Sequence, residues 1–216
     1  MTPPLAQPDA GTALSPALLA RDSRFVDFVT ACSAAAGAPD AQSRVADLTC
    51  DLVQHWRMPD PRYLRCQPDA AYGSYLLYLS PSANLCIVLD VFMAQQAAIA
   101  HNHLCWCVFA CLEGLERETL FDAPDDLSAP PAAALSRLRH PGEVTIAESA
   151  PGALHQVECA SGDRAVSLHV YGADIGTLER RMWSAADAAY VPFRSGYSNG
   201  PAGLPVYLSP ADAGTV

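Results

Sequence analysis

The chain has 216 residues, enough for one well-packed domain, and its composition marks no boundary to a second. Its net charge of −10 argues against nucleic acid or an anionic membrane surface as the main partner, since both reward clustered basic residues. No apolar run reaches the length of a membrane span, because Leu85 to Phe92 is interrupted by Asp90.

Met1 to Ala13 has neither the basic start nor the apolar stretch of a secretory signal, so a cytoplasmic protein is expected. Residues 1–14 are expected to be disordered. Ser15-Pro16 reads as an N-cap and first turn, and Leu18, Phe25, Phe28, Val29 and Cys32 follow at helical spacing up to the Gly37-Ala38-Pro39 break. Val45, Leu48, Leu52 and Trp56 predict a second amphipathic helix ending before Pro59, with His55 on its surface. From Tyr72 the pattern changes to short apolar or alternating runs. Strands are predicted near 74–79, 85–92, 98–103, 105–112, 116–121, 143–148, 154–159 and 164–171. The Ala- and Pro-rich stretch from Asp122 to Pro141, which carries His140, reads as an external excursion. Eight short strands after two helices imply a mainly β domain, closed or sandwich-like, with a helical flank. That domain is expected over 15–207 (helices 15–58, strands 62–207), with a flexible tail at 208–216. The eight cysteines fall mostly inside apolar segments, as small buried hydrophobes, and Cys105 and Cys107 have no second pair to complete a zinc knuckle.

Four of the six histidines are candidates for chemistry. His101 and His103, two apart in a predicted strand, point to one side, and the apolar flanks Ala98-Ile99-Ala100 and Trp106 to Leu112 suggest an interior position. Imidazoles in such a place need a metal or a polar network. His155 is a third candidate ligand. Three histidines without a carboxylate leave positions open on the metal, and such a set also suits catalytic zinc. Strand alternation puts Ser167, His169 and Tyr171 on one face, where they can form a hydrogen-bonded relay.

The stretch from Ala98 to Phe121, with Gly114 at its turn, resembles the first metal motif of the cupins, and more specifically that of the cysteine dioxygenase and 3-mercaptopropionate dioxygenase family. Gly152-Ala153-Leu154-His155 resembles the second motif, Ser167 to Gly176 the family's Ser-His-Tyr segment, and Phe193 to Asn199 the closing segment of bacterial members. The resemblance spans roughly residues 16–207. It implies a jelly-roll-like cupin double-stranded β-helix with the N-terminal helices packed outside. It also implies Fe(II) held by His101, His103 and His155, and a dioxygenase that adds both atoms of O2 to the sulfur of a small thiol, of cysteine or 3-mercapto acid type, giving a sulfinate. Ser167, His169 and Tyr171 would then orient the oxygen species and tune protons. Cys107 stands where mammalian-type members carry the cysteine that crosslinks to the triad tyrosine, here Tyr171.

Two positions depart from the family pattern. Ser74, two residues after Tyr72, occupies the place of the family's carboxylate-binding arginine or glutamine, and serine cannot make arginine's two-pronged charged contact. Asn102 replaces the aspartate between the two histidines. Arg180 is the candidate replacement for the carboxylate contact, with Arg181 and Arg194 as fallbacks and a surface helix face as the plainer alternative for Arg180 and Arg181. Tyr72 and Trp106 could wall a larger or less polar pocket. The expected partners are the thiol and O2, not nucleic acid or membrane, in a monomer or small homo-oligomer. Ser74 keeps open an oxidation of a different thiol-bearing biosynthetic intermediate, and a catalytically altered metal-binding cupin is the remaining alternative.

Overall fold

Two amphipathic helices open the described part of the chain, α1 (Ser23–Ala35) and α2 (Ala41–His55), and each buries the apolar stripe its spacing predicts. Phe25, Phe28, Val29 and Cys32 of α1 meet Val45 and Leu52 of α2, and Trp56 stacks on Phe25 with ring centroids 5.0 Å apart. The structure is a computed structural model describing residues 22–67 and 69–210; the predicted helix start at Ser15-Pro16, Leu18, residues 1–14 and residues 211–216 lie outside those described.

Ten strands follow among the described residues. They are β1 (Gly73–Leu79), β2 (Cys86–Met93), β3 (Cys107–Glu113), β4 (Glu116–Asp122), β5 (Ala132–Arg139), β6 (Val144–Ala147), β7 (Ala153–Cys159), β8 (Arg164–Tyr171), β9 (Arg180–Ser184) and β10 (Ala189–Phe193). The first sheet runs β1-β2-β8-β3-β6 and the second β5-β4-β7, all pairings antiparallel. Residues 97–101 extend the second sheet, bridging β7 at Ala97 and His101 on one side and β9 at His101 on the other. The chain therefore alternates between sheets, and the orders β2-β8-β3-β6 and (97–101)-β7-β4-β5 are the interleaved Greek keys of a jelly roll. This is the expected double-stranded β-helix, its helices outside.

The first sheet is buried on both faces. Ile87, Leu89, Val91, Val108, Ala110, Val166, Leu168 and Val170 point outward into the core shared with the helices, while Cys86, Val88, Cys107, Phe109 and Tyr171 point inward. This explains the nearly continuous apolar runs of β2, β3 and β8, which resemble parallel-sheet strands more than alternating ones.

Three expectations need correction. The predicted strand at 98–103 makes only isolated bridges, because Asn102 turns to donate to the Pro151 carbonyl (2.8 Å) and Leu104 takes a left-handed backbone, φ 57°. The supposed excursion at 122–141 contains β5, which pairs with β4 along its whole length. Its exposed alanines Ala132, Ala133 and Ala134 leave no apolar alternation to read. Arg180 and Arg181 belong to β9 rather than to a helix face, so alternation turns them to opposite sides. At the C-terminal end Tyr207 and Leu208 are buried, and Leu208 N donates to the Leu77 carbonyl (2.8 Å).

The ends of the domain meet at Asp22, a buried carboxylate that accepts from Trp56 Nε1 (2.8 Å) and from the Tyr207 hydroxyl (2.6 Å). Replacing it with alanine strands two buried donors. Asp22→Ala should lower unfolding stability by about 2–4 kcal/mol, read from urea denaturation at unchanged m value. A loss below about 0.5 kcal/mol would show that the junction does not hold the helical flank to the barrel.

Candidate metal centre

The ligand nitrogens of His101, His103 and His155 lie within 4.8 Å of one another. His155 sits on β7, His101 on the bridging segment beside it, and His103 just beyond. The backbones of His101 and His155 exchange N–H···O bonds of 3.0 and 2.9 Å, which fixes the pair across the sheet. The loss of regular strand at 98–103 does not separate the histidines, because convergence comes from this bridge and from the turn at Asn102. The Asn102 side chain accepts from Arg181 N (3.0 Å) while donating to Pro151 O, tying the segment to β9 and to the loop before β7.

Each anchored imidazole is turned the same way. His101 Nδ1 lies 2.7 Å from the Ile99 carbonyl and His155 Nδ1 lies 3.1 Å from Glu118 Oε1. Both partners are acceptors, so Nδ1 carries the proton and Nε2 is left bare. His155 Nε2 stands 3.0 Å from His103 Nε2. Two nitrogens each about 2.1 Å from one ion at right angles are about 3.0 Å apart, so the donor set fits a divalent transition metal. Burial first, then the neighbouring imidazoles, holds His101 and His103 well below the ordinary histidine range, in the neutral form a metal requires.

Glu118 is the element of the site that sequence reasoning missed. It is 1% exposed on β4, and its other oxygen takes the guanidinium groups of Arg137 (2.8 Å) and Arg139 (2.7 Å) from β5. Burial alone would raise its pKa. The bonds from His155, Arg139 and Arg137 outweigh that and hold it at about 2. The available signal is the spacing of Glu116 and Glu118, two acids on the inward face of a predicted strand. The arginine partners of Glu118 stay invisible as long as β5 reads as a loop.

The relay expected on β8 is formed. Ser167 Oγ lies 2.9 Å from His169 Nε2 and the Tyr171 hydroxyl 3.1 Å from Nδ1, all three buried. His169 stacks on Phe109 (5.3 Å between centroids), and burial, with a smaller push from His155, lowers its pKa to about 3. Cys107 faces Tyr171 directly across the β3–β8 ladder, fully buried.

A narrow cavity of about 20 Å³ joins the three histidines to Tyr72, Ser74, Asp90, His169, Tyr171 and Arg180. Ser74, Tyr72 and His101 also line a wider, mainly apolar vestibule of about 390 Å³ formed with Ile99, Met182 and Phe193. Arg180 is 3% exposed, donates to Ser195 Oγ (2.9 Å) and lies over Phe193 at 4.5 Å. The fallback arginines are elsewhere: Arg181 and Arg194 both pair with Glu179, at 3.6 and 3.5 Å. Tyr72 lines the cavity and stacks on Phe92 (4.8 Å). Trp106 does not join them. It packs against the outer core and over Gly172, where any side chain would collide with its indole. His55 and His140 are exposed, as expected.

The barrel is a cupin-type double-stranded β-helix. No family model matches the chain. Similar solved structures include TT1209 from Thermus thermophilus, 22% identical over 55% of this chain and 98% of that one, with a TM-score of 0.40. An uncharacterized protein with a double-stranded β-helix domain from Klebsiella pneumoniae is 12% identical over 60% of this chain and 93% of that one, TM-score 0.44. An oxalate oxidase is 12% identical, covering 53% of this chain and 58% of the oxidase, TM-score 0.40. Similarity of this extent carries no activity over.

Glu118→Gln should weaken metal binding about 10- to 100-fold without unfolding the protein, as measured by competition with a chelator. The depressed pKa also fixes a sign. Glu118 stabilises the fold fully above its ordinary value of 4.5, and that contribution is lost as pH falls towards about 2. The stability gap between wild type and Glu118→Gln should therefore close between these pH values; a gap that stays constant would mean the carboxylate is not held ionised by its partners.

Proposed function

We propose that this protein is an Fe(II)-dependent thiol dioxygenase. The observation that carries the reading is the meeting, in one cavity, of the convergent His101, His103 and His155 with His169 and Tyr171 of the Ser167-His169-Tyr171 line. Iron held by His101, His103 and His155 would supply a redox-active centre with positions left open for a thiolate and dioxygen. The net change is R–S⁻ + O2 → R–SO2⁻, which balances without an outside reductant. The partners are a small thiol and O2, and the protein acts as a cytoplasmic monomer or small homo-oligomer.

The chain's own groups divide the remaining work. Arg180, buried with Nε unpartnered, lines the same cavity as Ser74, offers a cation to a substrate carboxylate and takes over the contact that serine cannot make. Tyr171 presents its hydroxyl to the cavity wall, and His169 holds that hydroxyl in place from Nδ1, so it can give or take a proton beside the reacting sulfur. Ser167 and Phe109 fix the imidazole in turn.

The width of the vestibule beyond Ser74 favours a second reading, in which the same centre oxidises a bulkier thiol-bearing intermediate. Arg180 lines the cavity, which supports a working site over a catalytically altered metal-binding cupin.

We infer a thioether between Cys107 and Tyr171, which stand opposite each other on β3 and β8. Its formation breaks the S–H bond and one ring C–H bond, makes a C–S bond, and delivers two electrons and two protons to O2, giving hydrogen peroxide. Intact mass after aerobic turnover should fall by two hydrogens, and Cys107→Ala should abolish the change.

The deciding experiment is dioxygen uptake by Fe(II)-loaded protein across a panel of small thiols. Uptake should yield a sulfinate from at least one thiol and vanish in His155→Ala. Tyr171→Phe should retain iron and lose on the order of 100-fold in kcat. Iron-loaded protein that consumes no O2 with any thiol would overturn simple thiol dioxygenation.

A further inference from the structure

β2 reads Cys-Ile-Val-Leu-Asp-Val-Phe-Met, and its alternation puts Asp90 on the inner face between Val88 and Phe92. A carboxylate in that row is costly unless it is bonded or paired. Ser74 on β1 and Ser167 on β8 stand directly opposite it, and His169 Nε2 lies 3.5 Å from Oδ2. Oδ1 has no hydrogen-bond partner, although the residue is 7% exposed and lines the cavity of the three histidines. Arg180 lines the same cavity with its Nε also unpartnered, yet among the described residues the two charges form no ion pair with each other. The cavity lining thus includes one carboxylate oxygen, Asp90 Oδ1, and one guanidinium nitrogen, Arg180 Nε, without a hydrogen-bond partner.

We propose that Asp90 is a specificity-determining residue that holds an ammonium group of the substrate through its free oxygen. This rests on reading the cavity as the substrate site. An ammonium group gives Oδ1 the charge-assisted bond that no protein donor supplies. Burial raises the Asp90 carboxyl to about 7, with Ser74 and Arg180 pulling the other way, and a cation bonded to Oδ1 would favour its charged form. Amine-bearing thiols are then preferred over their des-amino counterparts, and Arg180 serves the carboxylate of those that carry one. The amine is gripped by the protein wall and does not depend on the metal.

The test is calorimetric binding to anaerobic Fe(II)-loaded protein, using pairs that differ only in the amine: cysteine with 3-mercaptopropionate, cysteamine with ethanethiol, and serine with 3-hydroxypropionate. Wild type should bind the amine member of a pair at least about tenfold more tightly. Asp90→Asn, nearly the same shape, should erase most of that preference and leave the des-amino member within about threefold. Equal affinity within every pair, no binding of any member, or a preference that survives Asp90→Asn would overturn the assignment. The last result would mean that Oδ1 meets only water or that Asp90 merely steadies His169. Should Asp90→Asn fail to fold, the wild-type pairs still decide. A preference seen with serine, in protein that oxidises no thiol, would keep the Asp90 assignment and remove the dioxygenase reading; thiol oxidation without any amine preference would do the reverse.

Discussion

A sheet buried on both faces has no solvent in which to leave a polar side chain, and this constraint organises the molecule. The helices α1 and α2 cover the outer face of the first sheet, and the barrel interior covers the inner one. A polar group on β2, β3 or β8 is therefore costly unless it finds a partner inside the protein, and Asp90 Oδ1 is the exception on β2. Ser167, His169 and Tyr171 satisfy one another along a single strand face, with Phe109 stacked on the imidazole. The Asp90 carboxylate beside His169 Nε2 favours the tautomer protonated there. That leaves Nδ1 to accept from Tyr171.

The second sheet works under a looser rule. β5 is largely exposed, and its arginines reach inward to a buried acid while their stems lie in or near solvent. Glu118 collects two arginines from β5 and one imidazole from β7, so it binds three strands and fixes a ligand tautomer at once. Removing it would leave two guanidinium groups and the His155 Nδ1 proton without an acceptor. This is a larger disturbance than the loss of one salt bridge at the surface, where such pairs contribute little.

The parts of the molecule legible in its sequence follow this division. Where a strand is buried on both faces, its apolar run announces it, and β2, β3 and β8 fall within about two residues of their expected positions. The Ser167, His169, Tyr171 face was legible because period two holds in a regular strand, whereas His101 and His103 were legible as a pair although the bridge to His155 and the turn at Asn102, not a regular strand, bring them together. β5, β9 and β10 were not, since strands with exposed alanines or arginines show no apolar alternation. Glu118 lost its meaning along with β5. Asp90 was visible only as an interruption in an apolar run, because register with Ser74 and proximity to His169 are properties of three strands and not of one. Trp106 looked like pocket wall from its place beside the motif, yet the absence of a side chain at Gly172 gave it a better seat in the core.

The two sheets contribute different chemistry to one cavity, and the difference follows from their exposure. Two of the histidines come from the second sheet, on β7 and its bridging neighbour, and His101 also lines the vestibule. The groups able to hold or pass a proton come from β8 and β2, deep in the doubly covered sheet, where water does not compete for their hydrogen bonds. Low local polarity strengthens those bonds and equally penalises any member left unpaired. On the proposed reading, such a cavity selects ligands by charge more sharply than by size, because its unpartnered atoms belong to buried residues and its room for bulk lies in the vestibule.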